Sequence, residues 1–284
     1  MSLLVNQLFG VAGKTVLVTG GGRGIGRMIA EGFVANGATV FISSRDTVAL
    51  DGAASELTAA GAASGGRCIS IAANLGSRGG CEELAAAMAE LLKGGGLHCL
   101  VNNSGTSWGE PLERKSGRLN WGWDRVLDLN LKAPFYLTRA LLPSLEATAS
   151  SADPARVINI GSVAGLTAQD FPTHAYDSSK AAVHALTKKL AHELARRTPD
   201  KPVTVNAIAP GYVPSKMTQG LAAWGVDQEQ AAAAIPLGRM GAASDMAGAA
   251  LFLASPAGAW VTGAVLPVDG GSLAAPLAMM PDGE

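Results

Sequence analysis

Short apolar runs that end at Gly, Asn or Ser alternate along this chain with longer segments in which apolar residues return every three or four positions. The runs are Lys14–Thr19, Thr39–Ser43, Arg67–Ala72, His98–Asn102, Arg156–Ile160, Val203–Ile208 and Ala264–Val268. They are rich in β-branched residues and lack the strict apolar–polar alternation of a half-exposed strand, so they read as strands buried on both faces of a parallel sheet. Between them, Ile25–Asn36 places Ile25, Met28, Ile29 and Phe33 on one side of a helix that Asn36-Gly37 stops. Cys81–Lys93 is rich in Ala and Leu, and Trp123–Leu145 and Tyr176–Arg197 are long and amphipathic. This alternation predicts an α/β fold: a doubly wound, mostly parallel seven-stranded sheet with helices on both faces, in three α/β/α layers, with ligands at the strand carboxyl ends. Ala147–Pro154 reads as a loop rather than a linker, so residues 1–284 are expected to form one domain.

Composition narrows the function classes. Nearly half of the 284 residues are apolar, enough for a sizeable core. The 22 Lys and Arg balance 23 Asp and Glu and are scattered, which argues against a nucleic-acid or anionic-membrane partner. Cys68, Cys81 and Cys99 form no C-x-x-C pair, and their odd number speaks against a disulfide framework; they read as reduced core thiols. His184 and His192 share one predicted helix without metal-ligand spacing, so no metal is expected. The first residues do not read as a secretion signal, and no apolar run is long enough to span a bilayer. The expectation is a soluble, cytoplasmic protein.

The first run leads directly into Thr19-Gly20-Gly21-Gly22-Arg23-Gly24-Ile25-Gly26 and then into a helix. Glycine lets the backbone turn tightly and approach a phosphate without a Cβ clash. The helix that follows points its free N–H groups and positive dipole end at the same place. A strand, glycine loop and helix in this order is the context expected of a Rossmann-type dinucleotide site, with Gly20, Gly22, Gly24 and Gly26, together with Arg23 and Ile25, as cofactor-binding residues, although such a glycine triplet is also found where there is only a tight strand–helix turn.

A second cluster carries acid–base chemistry. Tyr176 and Lys180 lie four residues apart, on one face of a predicted helix. A phenol with an ordinary pKa of about 10 needs a nearby cation to work near neutrality, and Lys180 can supply one. Such a pair is also an ordinary exposed helix pair. Ser162 lies just past the buried run Arg156–Ile160, where a strand-end residue reaches a crevice, although a turn or cap serine is also common there.

Taken together, these motifs resemble the single-domain branch of the short-chain dehydrogenase/reductase family from about Val11 to Leu273. The glycine spacing T-G-x-x-x-G-x-G matches, as does Asn102-Asn103-Ser104-Gly105, with Ser104 where the family usually has Ala. Asn130, Ser162, Tyr176 and Lys180 match its catalytic tetrad. Pro210-Gly211 and Asp269-Gly270-Gly271 match its later signatures. The resemblance implies that Asn103, Ser104, Gly105, Pro210, Gly211 and Val213 contact the cofactor. Asn74-Leu75 stands where the family often has Asp-Leu beside the adenine, and Asn can still donate and accept there. The implied reaction is hydride transfer from nicotinamide to a ketone, with Ser162 and Tyr176 on the carbonyl oxygen and Tyr176 giving the proton. Lys180 would hold the ribose and stabilise the tyrosinate, and Asn130 would place a relay water.

Cofactor choice follows from charge. NAD-selective sites place Asp or Glu after the second strand. Here Ser44 and Arg45 stand first, and Arg45 can pair with a 2′-phosphate through its planar fork. Arg23 adds a second positive charge, so NADPH/NADP is the expected cofactor; Asp46 is read as a helix cap. The segments Asn102–Gly109, Arg156–Gly165 and Ile235–Gly241 are similar to β-ketoacyl reductases, including the rhamnolipid-pathway type, which favours a 3-oxoacyl thioester, free or acyl-carrier-linked. Alternatives are an NAD(P)-linked alcohol dehydrogenase acting on a steroid, polyol or secondary-metabolite hydroxyl, and a dinucleotide sensor without turnover. Val213–Arg239 resembles the family's substrate lid, in which Trp224 is either a substrate wall or an anchor. Trp108 is a candidate pocket residue, Trp121 and Trp123 are expected to start the next helix, and His174 is placed on a loop. Arg125, Lys132 and Arg139 are either a docking face for an acyl carrier or a solvated helix face. A homotetramer or homodimer is expected, paired through the long helices.

Overall fold

A computed structural model describes residues 3–114, 121–215, 218 and 228–274 of the chain. Seven strands form its sheet: β1 (Thr15–Thr19), β2 (Thr39–Ser44), β3 (Arg67–Ala72), β4 (Cys99–Asn102), β5 (Ala155–Ile160), β6 (Val203–Pro210) and β7 (Val265–Val268). Every described pairing is parallel, and the order is β3-β2-β1-β4-β5-β6-β7. The chain begins in the middle of the sheet, builds outward to β3, then returns to the other side of β1. The carboxyl ends of β1 and β4 therefore diverge around a crevice, the place where open α/β sheets bind ligands.

Side chains alternate across the sheet because the strand period is two. Val16 and Val18 of β1 point to one core, with Ile29, Phe33, Leu50 and Met246. Leu17 points to the other, with Leu84, Met88, Leu137 and Leu190. The first core lies under helices α1 (Gly24–Ala35), α2 (Thr47–Ala60) and α8 (Ala243–Ala254). The second lies under α3 (Arg78–Leu92), α5 (Ala133–Glu146) and α6 (His174–Leu194). Further helices are α4 (Trp121–Leu127) and α7 (Gln228–Ala233), and a single helical turn spans Val5–Leu8. Asp46 and Ser77 cap α2 and α3 by accepting from the N–H groups of Ala49 and Gly80, each at 3.2 Å.

The strands fall where the apolar runs place them, within a residue or two. The helices differ more. The segment Trp123–Leu145 is not one helix: α4 ends at Leu127, a five-residue π-turn covers Asp128–Lys132, and α5 follows. Pro134 has no N–H to return to the carbonyl four residues back, that of Asn130, and the break falls there. His174 is the first residue of α6 rather than a loop residue. Thr173 and Asp177 lock that first turn, with the Thr173 hydroxyl donating to the Asp177 carboxylate at 2.9 Å and the Asp177 N–H donating to the Thr173 carbonyl at 3.0 Å. Helices α2 and α8 escape the apolar pattern because small residues dominate them. Small residues also let α8 approach α1 closely: a Cβ on Gly32 would lie 2.5 Å from Ala247 Cβ. All three cysteines are buried, and burial pushes their thiols up to about 12 (Cys68, Cys99) and about 11 (Cys81). Among the described residues, no helix is long and apolar enough to cross a membrane.

Candidate active site

The candidate segments leave the carboxyl edge of the sheet side by side. The first is the loop after β1. Gly20 has φ of +66°, and its N–H donates to the Ser43 carbonyl at 2.7 Å, so the loop folds back over the end of β2. Gly26 sits on the first turn of α1, where a Cβ would lie 2.5 Å from the Gly20 carbonyl oxygen and would also overlap the Asn103 amide. These two glycines press helix and loop together. Arg23 is the N-cap of α1 in an extended conformation with no side-chain cap bond, so the helix N–H groups that a cap would take stay available. Gly24 has φ of +54° and faces Ser215, while Gly22 lies over Leu50 and Ile25 packs against the core of that face.

The second segment follows β4. Asn103 donates through Nδ2 to the Thr19 carbonyl at 2.8 Å, and the backbone N–H groups of Asn103 and Ser104 both donate to the Thr19 hydroxyl, at 3.0 and 2.9 Å. Thr19 therefore ties the two loops together, a role that its place at the strand end could have suggested. Leu75 and Ser104 are neighbours beside Thr19 and Leu129. Asn74 itself is exposed and accepts from the Gly76 N–H at 3.2 Å.

At the rim beyond β2, the Ser44 hydroxyl accepts from the Asp46 N–H at 3.2 Å, and Asp46 caps α2. Arg23 and Arg45 are both exposed, and among the described residues neither guanidinium is paired with a carboxylate. On the far side, Pro210 ends β6, and Gly211 donates to the Val268 carbonyl at 3.0 Å. A Cβ on Gly211 would lie 2.8 Å from Asp269. Val213 is buried, and its carbonyl accepts from the Thr218 hydroxyl at 3.1 Å. Trp224 and most of the segment from 216 to 227 lie outside the described residues.

The chemistry sits where α6 crosses the end of β5. Ser162 caps a short 3₁₀ turn, Val163–Gly165, by accepting from the Ala164 N–H at 3.1 Å. Its side chain lies close enough to the Tyr176 phenol to favour the phenolate. The Lys180 ammonium lies 5.5 Å from the centre of the Tyr176 ring and donates to the Ile160 carbonyl at 2.7 Å. Burial lowers the Lys180 pKa to about 8, because a charged ammonium loses water there. Burial raises the Tyr176 phenol above its usual value, and Asp177 adds to the rise, while the Ser162 side chain opposes it. The phenol is thus a protonated donor across the neutral range.

Asn130 is buried in the π-turn and clasps the backbone of Thr106: Oδ1 accepts from its N–H and Nδ2 donates to its carbonyl, both at 2.9 Å. Nδ2 also donates to Ser179 Oγ at 3.0 Å, and Ser179 donates to the Tyr176 carbonyl at 2.6 Å. Gly105 lies alongside, since a Cβ there would fall 3.3 Å from Asn130 Oδ1. Ser179 escaped the sequence reading, although it stands inside the Tyr–Lys spacing. Below this layer Asn102 donates to Asn159 at 2.9 Å and Asn159 to Thr187 at 2.9 Å, a buried polar chain that joins β4, β5 and α6. Trp108 belongs to the loop that leaves β4; its indole donates to Glu110 at 3.1 Å, as does Arg114. The described residues hold no cluster of metal-ligating side chains.

The chain as a whole is similar to known proteins. A family model described as enoyl-(acyl carrier protein) reductase matches residues 20–272. The rhamnolipids biosynthesis 3-oxoacyl-(acyl-carrier-protein) reductase of Pseudomonas aeruginosa is 46% identical, over 94% of this chain and 99% of that protein. Galactitol 2-dehydrogenase (L-tagatose-forming) of Cereibacter sphaeroides is 39% identical, over 93% of this chain and 96% of that one. Among solved structures, the Pseudomonas aeruginosa RhlG/NADP active-site complex superposes with a TM-score of 0.84 at 45% identity, covering 94% of this chain and 98% of that chain.

Proposed function

The chain belongs to the short-chain dehydrogenase/reductase family, and from that premise we propose that it reduces a ketone to a secondary alcohol with NADPH, its substrate class being a 3-oxoacyl thioester. The observation that carries this reading is the meeting of Ser162, Tyr176 and Lys180 at the end of β5, beside a loop that Gly20 and Gly26 keep free of β-carbons. A dinucleotide fits that loop: α1 offers an N-terminus without a side-chain cap, and Arg23 and Arg45 put at the rim two cations that no carboxylate among the described residues pairs, with no acid ahead of them.

NADPH, when bound, supplies the hydride that goes to the carbonyl carbon. The protein does the rest. Ser162 and Tyr176 donate hydrogen bonds to the carbonyl oxygen and become stronger partners as negative charge grows on it. Tyr176 hands over its proton, and the Lys180 ammonium stabilises the phenolate left behind. Both amide hydrogens of Asn130 are already committed, so Asn130 can offer a relay water only an acceptor. Ser44 and Arg45 bind the 2′-phosphate, and Asn74, Leu75, Asn103, Ser104, Gly105, Pro210, Gly211 and Val213 complete the cofactor cleft. The chain works as one domain with a lid around 213–239, as a soluble cytoplasmic homotetramer or homodimer. The 39% identity to galactitol 2-dehydrogenase favours a second reading, oxidation of a polyol or other secondary alcohol.

A panel of 3-oxoacyl and 2-enoyl thioesters, simple ketones and polyols, with NADPH and NADH, tests the assignment. The expected result is ketone reduction with NADPH preferred, a preference that Arg45→Asp shrinks or reverses. Tyr176→Phe should lose roughly 10²–10⁴-fold in turnover while still binding NADPH. Enoyl reduction alone, polyol oxidation alone, or equal use of both cofactors would each overturn the corresponding part.

A further inference from the structure

His184 is buried at 5% exposure, one helical turn beyond Lys180 on α6, and neither of its ring nitrogens has a hydrogen-bond partner among the described residues. An imidazole in such a place is held mainly by packing, and what it packs against is the backbone that carries Ser162. A Cβ on Gly161 would overlap His184 Nε2, and one on Gly165 would lie 2.9 Å from Cε1. The ring therefore fills the space between the end of β5 and the 3₁₀ turn, where only glycines leave room for it.

Three consecutive residues of the strand end are thus met by three successive turns of one helix. Lys180 takes the Ile160 carbonyl at 2.7 Å, His184 abuts Gly161, and the Tyr176 phenol is influenced by the Ser162 side chain. On the other side, Gly161 is pinned to the Ile208 carbonyl of β6 at 2.7 Å, so the strand end cannot retreat from the ring. We propose that His184 is a positioning residue for Ser162, and that it acts only as the neutral imidazole, so that protonation dislodges the ring from Gly161 and Gly165 and shifts the Ser162 hydroxyl away from Tyr176. The catalytic consequence rests on the reductase reading above; the structural coupling does not.

The surroundings favour the neutral ring. Burial lowers its pKa, and the charges of Lys180 and Lys188, both on its own helix, add to the fall, while the Gly165 backbone opposes it. The strand end Ile160–Ser162, the turn Val163–Gly165 and strand β6 bring no ionisable side chain to compensate a proton. A second proton would create an imidazolium beside an ammonium with at most the Gly165 backbone to accept from it, which a buried site does not tolerate without rearrangement.

The test combines histidine ring and Ser162 amide NMR shifts of the wild type from pH 8 to 5 with turnover and NADPH fluorescence titrations over the same range. His184 should titrate below the ordinary imidazole value of about 6.5, and the Ser162 amide should move with the same midpoint. Turnover should fall about tenfold per pH unit below it, with NADPH affinity unchanged. His184→Gln should cost about 10–100-fold in kcat, the scale of a small misplacement of a reacting group, and should lose that acid limb. A Ser162 amide that ignores the His184 titration, a ring that stays neutral to pH 5, or an acid limb unchanged in His184→Gln would overturn the proposal. If the Ser162 amide follows His184 but the wild type reduces no carbonyl, the coupling stands and the reductase reading fails. The wild-type NMR titration decides the coupling even if the variant does not fold.

Discussion

Strand β5 has a buried cation at each end, and the two are treated in opposite ways. At the amino end Arg156 is 1% exposed and is met by the Asp153 carboxylate, the Pro154 carbonyl and, at 3.0 Å, the Ser255 carbonyl. Lys14 joins the same carboxylate at 2.7 Å. Burial alone would push the Asp153 carboxyl up, but the Lys14 hydrogen bond and the Arg156 charge outweigh it and hold the group below the usual range. At the carboxyl end Lys180 is 6% exposed and has one carbonyl oxygen, with no carboxylate among the described residues. The first cation is compensated and ties three segments together. The second is left short of negative charge, so it can respond to a phenolate or to the hydroxyls of a ligand. Active centres concentrate such shifted groups because the uncompensated field is what acts on the reacting atoms.

The comparison is broken most easily at the carboxyl end. Lys180→Met should reduce turnover by roughly 10²–10⁴-fold, measured as kcat/KM for ketone reduction, because the phenolate loses its cation. Near-normal turnover would mean that Lys180 is as structural as Arg156. The next effect lies at the other end: Asp153→Ala should destabilise the fold by about 2–3 kcal/mol in denaturant titrations, below the roughly 3–5 kcal/mol of a fully buried pair because Asp153 remains partly in water. Turnover per folded molecule should stay the same, and a loss there would show that the two ends are not independent.

The smallest effects sharpen the contrast through their sign. Lys180→Met should stabilise the protein by about 1–2 kcal/mol at pH 7, since it removes an uncompensated buried charge. The folded Lys180 holds its proton only to about pH 8, whereas an unfolded lysine holds it to 10.5. Wild-type stability should therefore rise between pH 8 and 10.5, and the variant should lack that rise. Asp153 titrates in the opposite sense. Its folded pKa is depressed from 3.8, so its contribution is present above that value and is lost as the pH falls through the folded one. Chemical denaturation across the two windows reads both signs.

Much of this was legible in the chain because buried parallel strands demand continuous β-branched runs, and all seven runs became strands. The glycine loop was legible for the same kind of reason: positions such as Gly20 and Gly26 exclude any side chain. The Tyr176–Lys180 face followed from helical spacing. What escaped reading depends on partners distant in sequence. Helices α2 and α8 use alanine and glycine where a periodic helix would show large apolar residues, so their faces carry little signal. The π-turn that buries Asn130 follows from Pro134, yet nothing in the local pattern says that Thr106 and Ser179 will receive the Asn130 amide. His184 reads as one more core residue until Gly161 and Gly165 are seen against it.

The sheet order also governs how the chain assembles during synthesis. Strands β1, β2 and β3 all lie within the first 72 residues and can pair as they emerge, through Val18↔Ile42 and Ile42↔Ser70. The other flank of β1 receives β4 only at Cys99–Asn102, through Val16↔Cys99 and Val18↔Val101. What becomes an interior strand of the finished sheet thus spends the interval as a bare edge with an apolar centre, Val16–Val18. Unprotected edges of that kind are where nascent chains associate with one another. A stalled nascent chain whose emerged portion ends between residues 75 and 98 should therefore be the most chaperone-dependent and aggregation-prone stage in the life of this protein.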